Sequence, residues 1–238
     1  MDSWLEKNKK MNNLDFIDYS NYFNKSINAF QVLSDLEGKK NNLNEYRDTI
    51  INKLSIDKAN IAIPCQVHSN NVQFVRSCGI FENTDGLITD CNDIILCLQT
   101  ADCLPIFLFD KLNHSKGLVH SGWRGTKDKI IQRALDIMFK RGSIASNIVV
   151  VIGAAIQKCC YQIGDELIPF FDKSCIYSKN NKKYLSLQEQ ILIDLSKLNI
   201  PFDNIYIDGK CTFTDTNLSS YRRDKDKAGR MLSFFGEF

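Results

Sequence analysis

The sequence IILCLQTADCLPIFLFDKLNHSKGLVH, residues 94–120, decides the fold. It contains three apolar segments rich in β-branched and aromatic residues, Ile94–Gln99, Leu104–Phe109 and Gly117–His120. Such short segments bounded by turn residues are typical of strands. The polar residues 111–116 have the length of a hairpin loop between the second and third segments. The stretch therefore predicts neighbouring strands joined by short turns.

Strand candidates continue on both sides of this stretch, at Ile61–Val67, Val72–Arg76 and Ile148–Ile152. Apolar residues at helical spacing over 43–54 predict a helix before them. A strand-rich middle flanked by helices is typical of a layered fold. We expect an α+β fold with a mixed β-sheet core, formed as a single domain over residues 1–238.

Two further helices have recognisable ends. An apolar stripe from Ile130 to Met138 predicts one helix, with Thr126 as its N-cap and Gly142 at its end. Ser186 begins a capping box, Ser-Leu-Gln-Glu, and predicts the start of the other. Asn/Lys clusters supply the loops instead of Pro/Gly linkers. Residues 1–13, which include one such cluster, are expected to be a polar tail.

Composition excludes several classes of protein. The 30 basic and 28 acidic residues leave a net charge of +2, which gives no electrostatic footprint for nucleic acid. The longest apolar stretch, Ile148–Ile156, is far shorter than the ~20 residues of a membrane span. The polar N-terminus has no apolar signal-peptide core. We therefore expect a cytoplasmic protein, either a monomer or a small homo-oligomer, that binds neither nucleic acid nor membranes.

The nine cysteines form an odd set without a Cys-x-x-Cys pair. This pattern fits neither a secreted disulfide framework nor a zinc ribbon. In a reducing compartment most of these thiols are expected to be buried as small apolar side chains. A cysteine with a chemical role must therefore be identified by its neighbours.

Only three histidines are present, and two of them follow predicted strands. His68 comes after an extended segment, His120 ends another, and Cys103 lies in the turn between two apolar strands. Two imidazoles and a thiolate are a full protein ligand set for a catalytic zinc, whose fourth position stays open. Alternatively, the histidines are hydrogen-bonded loop residues and Cys103 is buried packing. His114, in the hairpin loop, is expected to be an exposed turn residue.

Two basic segments are candidates for anion binding. Arg124, with a helix beginning near Thr126, would suit a phosphate, although Arg124 could equally pair with a carboxylate. Arg222 and Arg223 are adjacent near the C-terminus. In an extended backbone they would point to opposite sides, so that at most one of them enters a site.

Four motifs together resemble the YfiH-type family, whose members are labelled multicopper polyphenol oxidase or laccase-domain proteins. They are Gln-Val-His (66–68), Thr-Ala-Asp-Cys-Leu-Pro (100–105), His-Ser-Gly-Trp-Arg-Gly-Thr (120–126) and Tyr-Arg-Arg-Asp (221–224). The resemblance extends from about Ile61 to Met231. It implies a YfiH-like catalytic domain with zinc bound by His68, Cys103 and His120. It also implies a purine nucleoside phosphorylase acting on adenosine, inosine or methylthioadenosine with phosphate, and adenosine deaminase activity.

The chain departs from the family pattern in three segments. A Gly-rich stretch is replaced by residues 28–35, Gly-Pro-Ala-Ile becomes Gly-Ala-Ala-Ile (153–156), and Tyr-Glu-Val-Gly becomes Tyr-Gln-Ile-Gly (161–164). The ligand set is unaffected by these changes. They concern the substrate pocket, and therefore the choice of nucleoside.

The leading hypothesis assigns catalysis to Cys103, Asp85 and Asp102. The metal would polarise water or substrate, Arg124 and the helix after Thr126 would hold phosphate, and Asp85 or Asp102 would protonate the purine. Rival hypotheses are a copper-dependent polyphenol oxidase, a hydrolase with Cys103 as nucleophile, peptidoglycan-precursor editing, and a non-catalytic zinc-binding protein. Copper is the weaker cofactor candidate, because none of the four methionines adjoins the motifs.

Overall fold

The computed structural model of the protein describes residues 14–33 and 43–238. Within these ranges the helices are α1 Leu43–Lys53, α2 Trp123–Lys127, α3 Ile130–Lys140, α4 Leu187–Lys197 and α5 Tyr221–Asp224. The predicted tail, residues 1–13, and positions 34 and 35 of the first departing segment lie outside the described residues. The single domain over 1–238 stays a prediction.

Strands make up most of the described core. They are β1 Phe16–Asp18, β2 Asn28–Val32, β3 Ile61–Pro64, β4 Val72–Phe74, β5 Gly79–Phe81, β6 Gly86–Thr89, β7 Ile95–Thr100, β8 Leu104–Asp110, β9 Lys116–Ser121, β10 Ile148–Ile152, β11 Gln162–Ile163, β12 Ile176–Lys179, β13 Lys182–Leu185, β14 Ile205–Ile207 and β15 Met231–Gly236. Every predicted strand is present, with ends that differ by a few residues. The predicted α+β class is confirmed.

The strands form two mixed six-stranded sheets and one small antiparallel sheet. The first sheet has the order β1-β2-β15-β7-β3-β5, and the second has the order β14-β10-β8-β9-β6-β4. The small sheet is β11-β13-β12. Parallel pairs (β3 with β5 and β7, β4 with β6, β10 with β14) stand beside antiparallel ones in the large sheets. Along the chain, the strands from β3 to β8 alternate between the two large sheets.

The two large sheets pack face to face and are covered by helices on their outer faces. Leu98 of β7 and Phe107 of β8 belong to the cluster between the sheets. On the other face of β8, Ile106 packs with α3 and α4, while Ile51 of α1 lies in the cluster on the outer face of the first sheet. Burial on both faces explains why β8 is continuously apolar in sequence. Each such buried side chain contributes ~1.5–3 kcal/mol relative to exposure.

The predicted hairpin of the 94–120 stretch is confirmed, and its register places the candidate site. β8 and β9 pair antiparallel with Pro105 opposite His120 and Leu104 opposite Ser121. The turn before β8 therefore lies beside the end of β9. His114 is an exposed residue of the hairpin loop, as predicted.

Helix ends are confirmed at two positions and wrong at a third. Gly142 follows α3 with a φ of +92°, and the Ser186 hydroxyl accepts a hydrogen bond from the Glu189 amide. Thr126 is not an N-cap, because it lies inside α2, which begins after Gly122. Lys129, with a φ of +63°, separates α2 from α3. The helix that the stripe predicts, α3, therefore begins later than expected, at Ile130, and the separate helix α2 precedes it.

The C-terminal arginines lie in a helix. Residues 221–224 form α5, whose N-cap Ser220 accepts from the Arg223 amide. The extended backbone considered for this segment is therefore wrong. No helix among the described residues has the length and apolar character that crossing a membrane requires.

Candidate metal centre

The loops that carry His68 and Cys103 meet the end of β9, which carries His120, at one end of the interior strands of the two large sheets. β3 and β7 are parallel neighbours, so their carboxyl ends lie together, and the chain leaves both for the second sheet. His68 lies in the crossing after β3, and Cys103 lies in the crossing after β7. His120 is near the end of β9, next to the start of β8. Residues far apart in sequence are therefore neighbours because of strand order.

The three side chains converge on one point. One nitrogen from each imidazole and Cys103 Sγ lie within 4.8 Å of one another. The two imidazole rings are nearly perpendicular, with centroids 4.9 Å apart. His120 is buried, Cys103 is half-buried and His68 is exposed, so the group opens to solvent on one side. Three convergent donors with one open side fit a catalytic zinc site.

Gly122 leaves room for this group. A Cβ at this position would lie 2.8 Å from Cys103 Sγ and 3.4 Å from His68 Cδ2. The backbone of Gly122 is in the extended region that any residue adopts. Glycine is therefore needed here for space and not for conformation.

Asp85 connects two of the three ligands. Its buried carboxylate accepts hydrogen bonds from the amides of Val67, His68 and Ser69, and from the Ser69 hydroxyl. Its Oδ1 also lies 2.8 Å from His120 Nδ1. This contact leaves His120 Nε2 for a metal, as carboxylates commonly do behind a histidine ligand. Burial raises the pKa of Asp85, but His120 and Ser69 together lower it to about 2.

The charges of Cys103 and His120 depend on each other. Burial raises the pKa of the Cys103 thiol, but His120 and His68 together lower it to about 6. Burial lowers the pKa of His120, but the Cys103 thiolate and Asp85 raise it to about 9. The surroundings therefore favour the thiolate, which is the form that binds metals.

Asp102 holds the turn before Cys103 in a conformation that is rare for a residue with a side chain. Its φ is +85°. Its Oδ1 accepts from the Thr212 hydroxyl at 2.6 Å, and its Oδ2 accepts from the Arg222 amide at 2.6 Å. The turn is thereby tied to α5 itself and to the segment that precedes it.

Arg124 and Thr126 have different surroundings. Arg124 is exposed, with its guanidinium 4.4 Å from the Trp123 ring centroid. Within residues 14–33 and 43–238 this guanidinium makes no hydrogen bond or ion pair, so the carboxylate partner considered for it is not found there. Thr126 is fully buried, and its hydroxyl bonds to Gly122 O and Ser121 Oγ. Thr126 therefore lies inside α2, where its hydroxyl ties the helix to the end of β9.

The two C-terminal arginines also differ. Arg223 uses its guanidinium on the Thr212, Phe213, Asp215 and Leu218 carbonyls and on Asp224. Arg222 donates from Nη1 to Gln162 O, and its guanidinium carbon lies 5.0 Å from the Tyr161 ring centroid. Of the two, only Arg222 has donors left for a ligand.

Tyr161, which the sequence marks only as part of a departing segment, lies near Cys103 and Arg222. Burial and the Cys103 thiolate raise the pKa of its phenol, while Arg222 and Arg124 act in the opposite direction. Its hydroxyl has no hydrogen-bond partner in the described part of the chain. No local sequence pattern identifies this tyrosine as a site residue, because the fold of the chain brings it there.

Two of the departing segments contact each other. The buried Gln31 side chain donates to Ala154 O and Thr100 Oγ1. A Cβ on Gly153 would lie 3.2 Å from Gln31 Oε1. The changes at 28–35 and 153–156 therefore form one packed unit behind Thr100, next to the turn that carries Cys103.

A family model described as "Multi-copper polyphenol oxidoreductase laccase" matches residues 20–236. The chain belongs to this laccase family. The resemblance that its motifs indicated is confirmed. The chain is 33% identical to a protein of Clostridium acetobutylicum named purine nucleoside phosphorylase, over 97% of this chain and 98% of that relative. It is 31% identical to YlmD of Bacillus subtilis, which carries the same name, over 80% and 75% of the two chains.

Solved structures of the laccase family share the fold. YfiH of Bacillus licheniformis has a TM-score of 0.82 at 26% identity, covering 92% of this chain and 94% of that one. YlmD of Geobacillus stearothermophilus has a TM-score of 0.81 at 25% identity, covering 89% and 92%. The YfiH-like architecture expected from the sequence is therefore confirmed.

Proposed function

We propose that the protein is a zinc-dependent purine nucleoside phosphorylase that uses adenosine, inosine or methylthioadenosine with phosphate, and that it also deaminates adenosine. One observation carries the proposal. The donors of His68, Cys103 and His120 converge beside the start of α2, where Arg124 has no hydrogen-bond or ion-pair partner within residues 14–33 and 43–238. The relatives named purine nucleoside phosphorylase support the reaction.

The donor set and its surroundings suit zinc. His68, Cys103 and His120 would hold the ion, and Asp85 fixes the ring of His120 and the loop of His68. A zinc ion in this position would act as a Lewis acid toward water or a substrate atom. Zinc is preferred to copper because neither methionine among the described residues is free to add an axial ligand. Met138 is in the core, and Met231 Sδ accepts from Gln31.

Phosphate binding is assigned to the unpaired cations. Arg124 is exposed and donates no side-chain hydrogen bond within the described ranges, and Arg222 keeps donors besides the one that binds Gln162 O. Guanidinium groups bind phosphate oxygens in pairs of hydrogen bonds. In phosphorolysis the ribose C1′–N9 bond breaks, a C1′–O bond to phosphate forms, and the purine takes up a proton. Arg124 and Arg222 would hold phosphate for this attack.

The surroundings of the acidic residues change the assignment of the proton donor. With a pKa of about 2, Asp85 is ionised at neutral pH and has no proton to give. Both carboxylate oxygens of Asp102 already accept hydrogen bonds. We assign positioning roles to both. Tyr161, whose raised pKa keeps its phenol protonated, is the neutral donor proposed for the purine.

A second candidate function is favoured by the low pKa of Cys103. A thiolate beside an imidazole is also the arrangement of a cysteine nucleophile, so a metal-independent hydrolase is the alternative. The two functions differ in their response to chelation. Removing metal abolishes the phosphorylase, whereas it exposes the nucleophile of the hydrolase.

The test uses the zinc-loaded protein with adenosine, with and without phosphate, and detects adenine, ribose 1-phosphate and inosine by mass spectrometry. We expect adenine and ribose 1-phosphate only with phosphate, and inosine independently of it. Cys103→Ala should lose zinc and all products. Cys65→Ala, which removes an exposed thiol of the His68 loop, should retain both. A fully zinc-loaded protein that forms no product from any of the three nucleosides would refute the proposal.

A further inference from the structure

Three other cysteines bring their sulfur atoms together away from the His68 loop. Cys159, Cys160 and Cys211, called the thiol trio below, have sulfur atoms within 4.8 Å of one another. Cys159 Sγ lies 2.9 Å from Cys160 Sγ and 3.8 Å from Cys211 Sγ. Cys159 is exposed, Cys160 is partly buried and Cys211 is buried. The trio therefore has a buried base and one side open to solvent.

The backbone holds these thiols in place. Cys159 and Cys160 lie in a turn in which the amides of Cys160 and Tyr161 both donate to Gln157 O. Cys211 forms a parallel bridge with Ala155, and the next amide, that of Thr212, donates to Ala155 O. The Gln157 side chain reaches the Asp208 and Lys210 carbonyls. The convergence of the sulfur atoms therefore results from a hydrogen-bonded framework joining two segments.

The donors in the trio are all soft. No carboxylate or imidazole belongs to this group of described residues. Thiolates select zinc, cadmium and monovalent copper over magnesium or calcium. With Zn–S bonds of ~2.3 Å, two thiolates on a tetrahedral ion lie ~3.8 Å apart, which is the Cys159–Cys211 separation. Cys159 must turn away from Cys160 to reach such geometry, and its exposure allows this.

We propose that the thiol trio binds one thiophilic d10 cation, of the class of Zn²⁺ or Cd²⁺, through three thiolates, with the fourth position facing solvent. Each thiol that is protonated in the free protein releases its proton to the medium on binding, and no electron is transferred. Burial raises the pKa of the Cys211 thiol, but the backbones of Gln157, Thr214 and Phe213 lower it. The proposal is independent of the proposed function.

The trio adjoins the framework of the first site. Thr212, next to Cys211, donates to Asp102 Oδ1 and presents its carbonyl to Arg223. A cation on the trio would therefore fasten the segment that braces the Cys103 turn. Its fourth position, which faces solvent, would be filled by water.

The test is a cadmium titration of the fully reduced, metal-free protein, followed by thiolate-to-cadmium absorption in the ultraviolet and by metal analysis after desalting. We expect two ions per chain in the wild type. Cys103→Ser should retain only the trio ion, Cys159→Ser should retain only the His68–Cys103–His120 ion, and the double variant should retain neither. Cys65→Ser removes an equally exposed thiol outside the trio and should bind two ions.

Two controls make the result decisive. Cys159 is exposed, so its replacement should leave the thermal unfolding of the metal-free protein unchanged, and proton release on binding should fall in that variant. Zinc competition against a chromophoric chelator should give the same stoichiometries. If Cys159→Ser binds as many ions as the wild type, the proposal is wrong. Persistent disulfide bonding within the trio under reductant, with no second ion bound, would also overturn it.

Discussion

Gly122→Ala tests whether the space beside Cys103 is what allows metal binding. The added Cβ would lie 2.8 Å from Cys103 Sγ, whereas a carbon and a sulfur in ordinary contact lie ~3.7 Å apart, so the sulfur must move by ~0.9 Å. Metal–ligand distances tolerate only about ±0.2 Å. Mutations that disturb the groups orienting a metal ligand typically cost ~10–100-fold in metal affinity. We therefore expect the affinity for zinc to fall about 100-fold, equivalent to ~2.7 kcal/mol.

The assay is zinc competition against a chromophoric chelator, in a Cys159→Ser background so that the thiol trio does not contribute. Gly209→Ala is the matched control, because a Cβ at Gly209 would have no atom within 4 Å. The helix-capping change at Gly122 costs no more than ~1 kcal/mol, so the metal-free variant should unfold within a few degrees of its parent. Wild-type zinc affinity in a folded Gly122→Ala protein would refute the reasoning.

Four further predictions follow from the site. Asp85→Asn should weaken zinc binding ~10–100-fold in the same competition assay, because His120 loses its carboxylate partner. In urea unfolding of the metal-free protein, Asp85 should stabilise the fold above pH ~4 by ~2 kcal/mol and lose this effect as the pH falls toward 2, since folding lowers its pKa. Asp85→Asn should lack that part of the pH dependence. Metal-free Cys103, with a pKa of about 6, should be alkylated by iodoacetamide at pH 7 far faster than Cys97, with a pKa of about 12, and zinc should protect it in peptide mass spectra. Arg124→Ala should raise the KM for phosphate at least ~10-fold and leave the KM for the nucleoside nearly unchanged, as measured by initial rates.

Much of the fold is predictable because its strands are buried on one or both faces. The three segments of the 94–120 stretch are apolar because they are buried, and they form β7, β8 and β9. The start of α2 is not predictable in the same way. Gly122 and Thr126 are both acceptable N-caps locally, and the choice depends on how Ser121 and Gly122 pack against Thr126. The left-handed Lys129 between α2 and α3 carries no sequence signal at all.

The candidate ligands could be chosen from the sequence, but their supports could not. His68, Cys103 and His120 stand out because histidines are few and the motifs around them resemble a family. The role of Asp85 depends on its contact with His120, 35 residues away. Likewise the thiol trio joins cysteines 51 or 52 positions apart through the backbone bridge at Ala155 and the hydrogen bonds of the Gln157 side chain. Such pairings come from strand order, which no local pattern specifies.

The hydrogen bonds of Asp85 to both the His68 loop and His120 determine how the centre behaves without a metal ion. One carboxylate holds both the backbone of the His68 loop and the ring of His120, so these two ligands keep their separation through hydrogen bonds alone. Binding of an ion therefore requires little further ordering of these two side chains, and its release disorders them little. An ion held by these ligands would therefore exchange while the polypeptide stays folded.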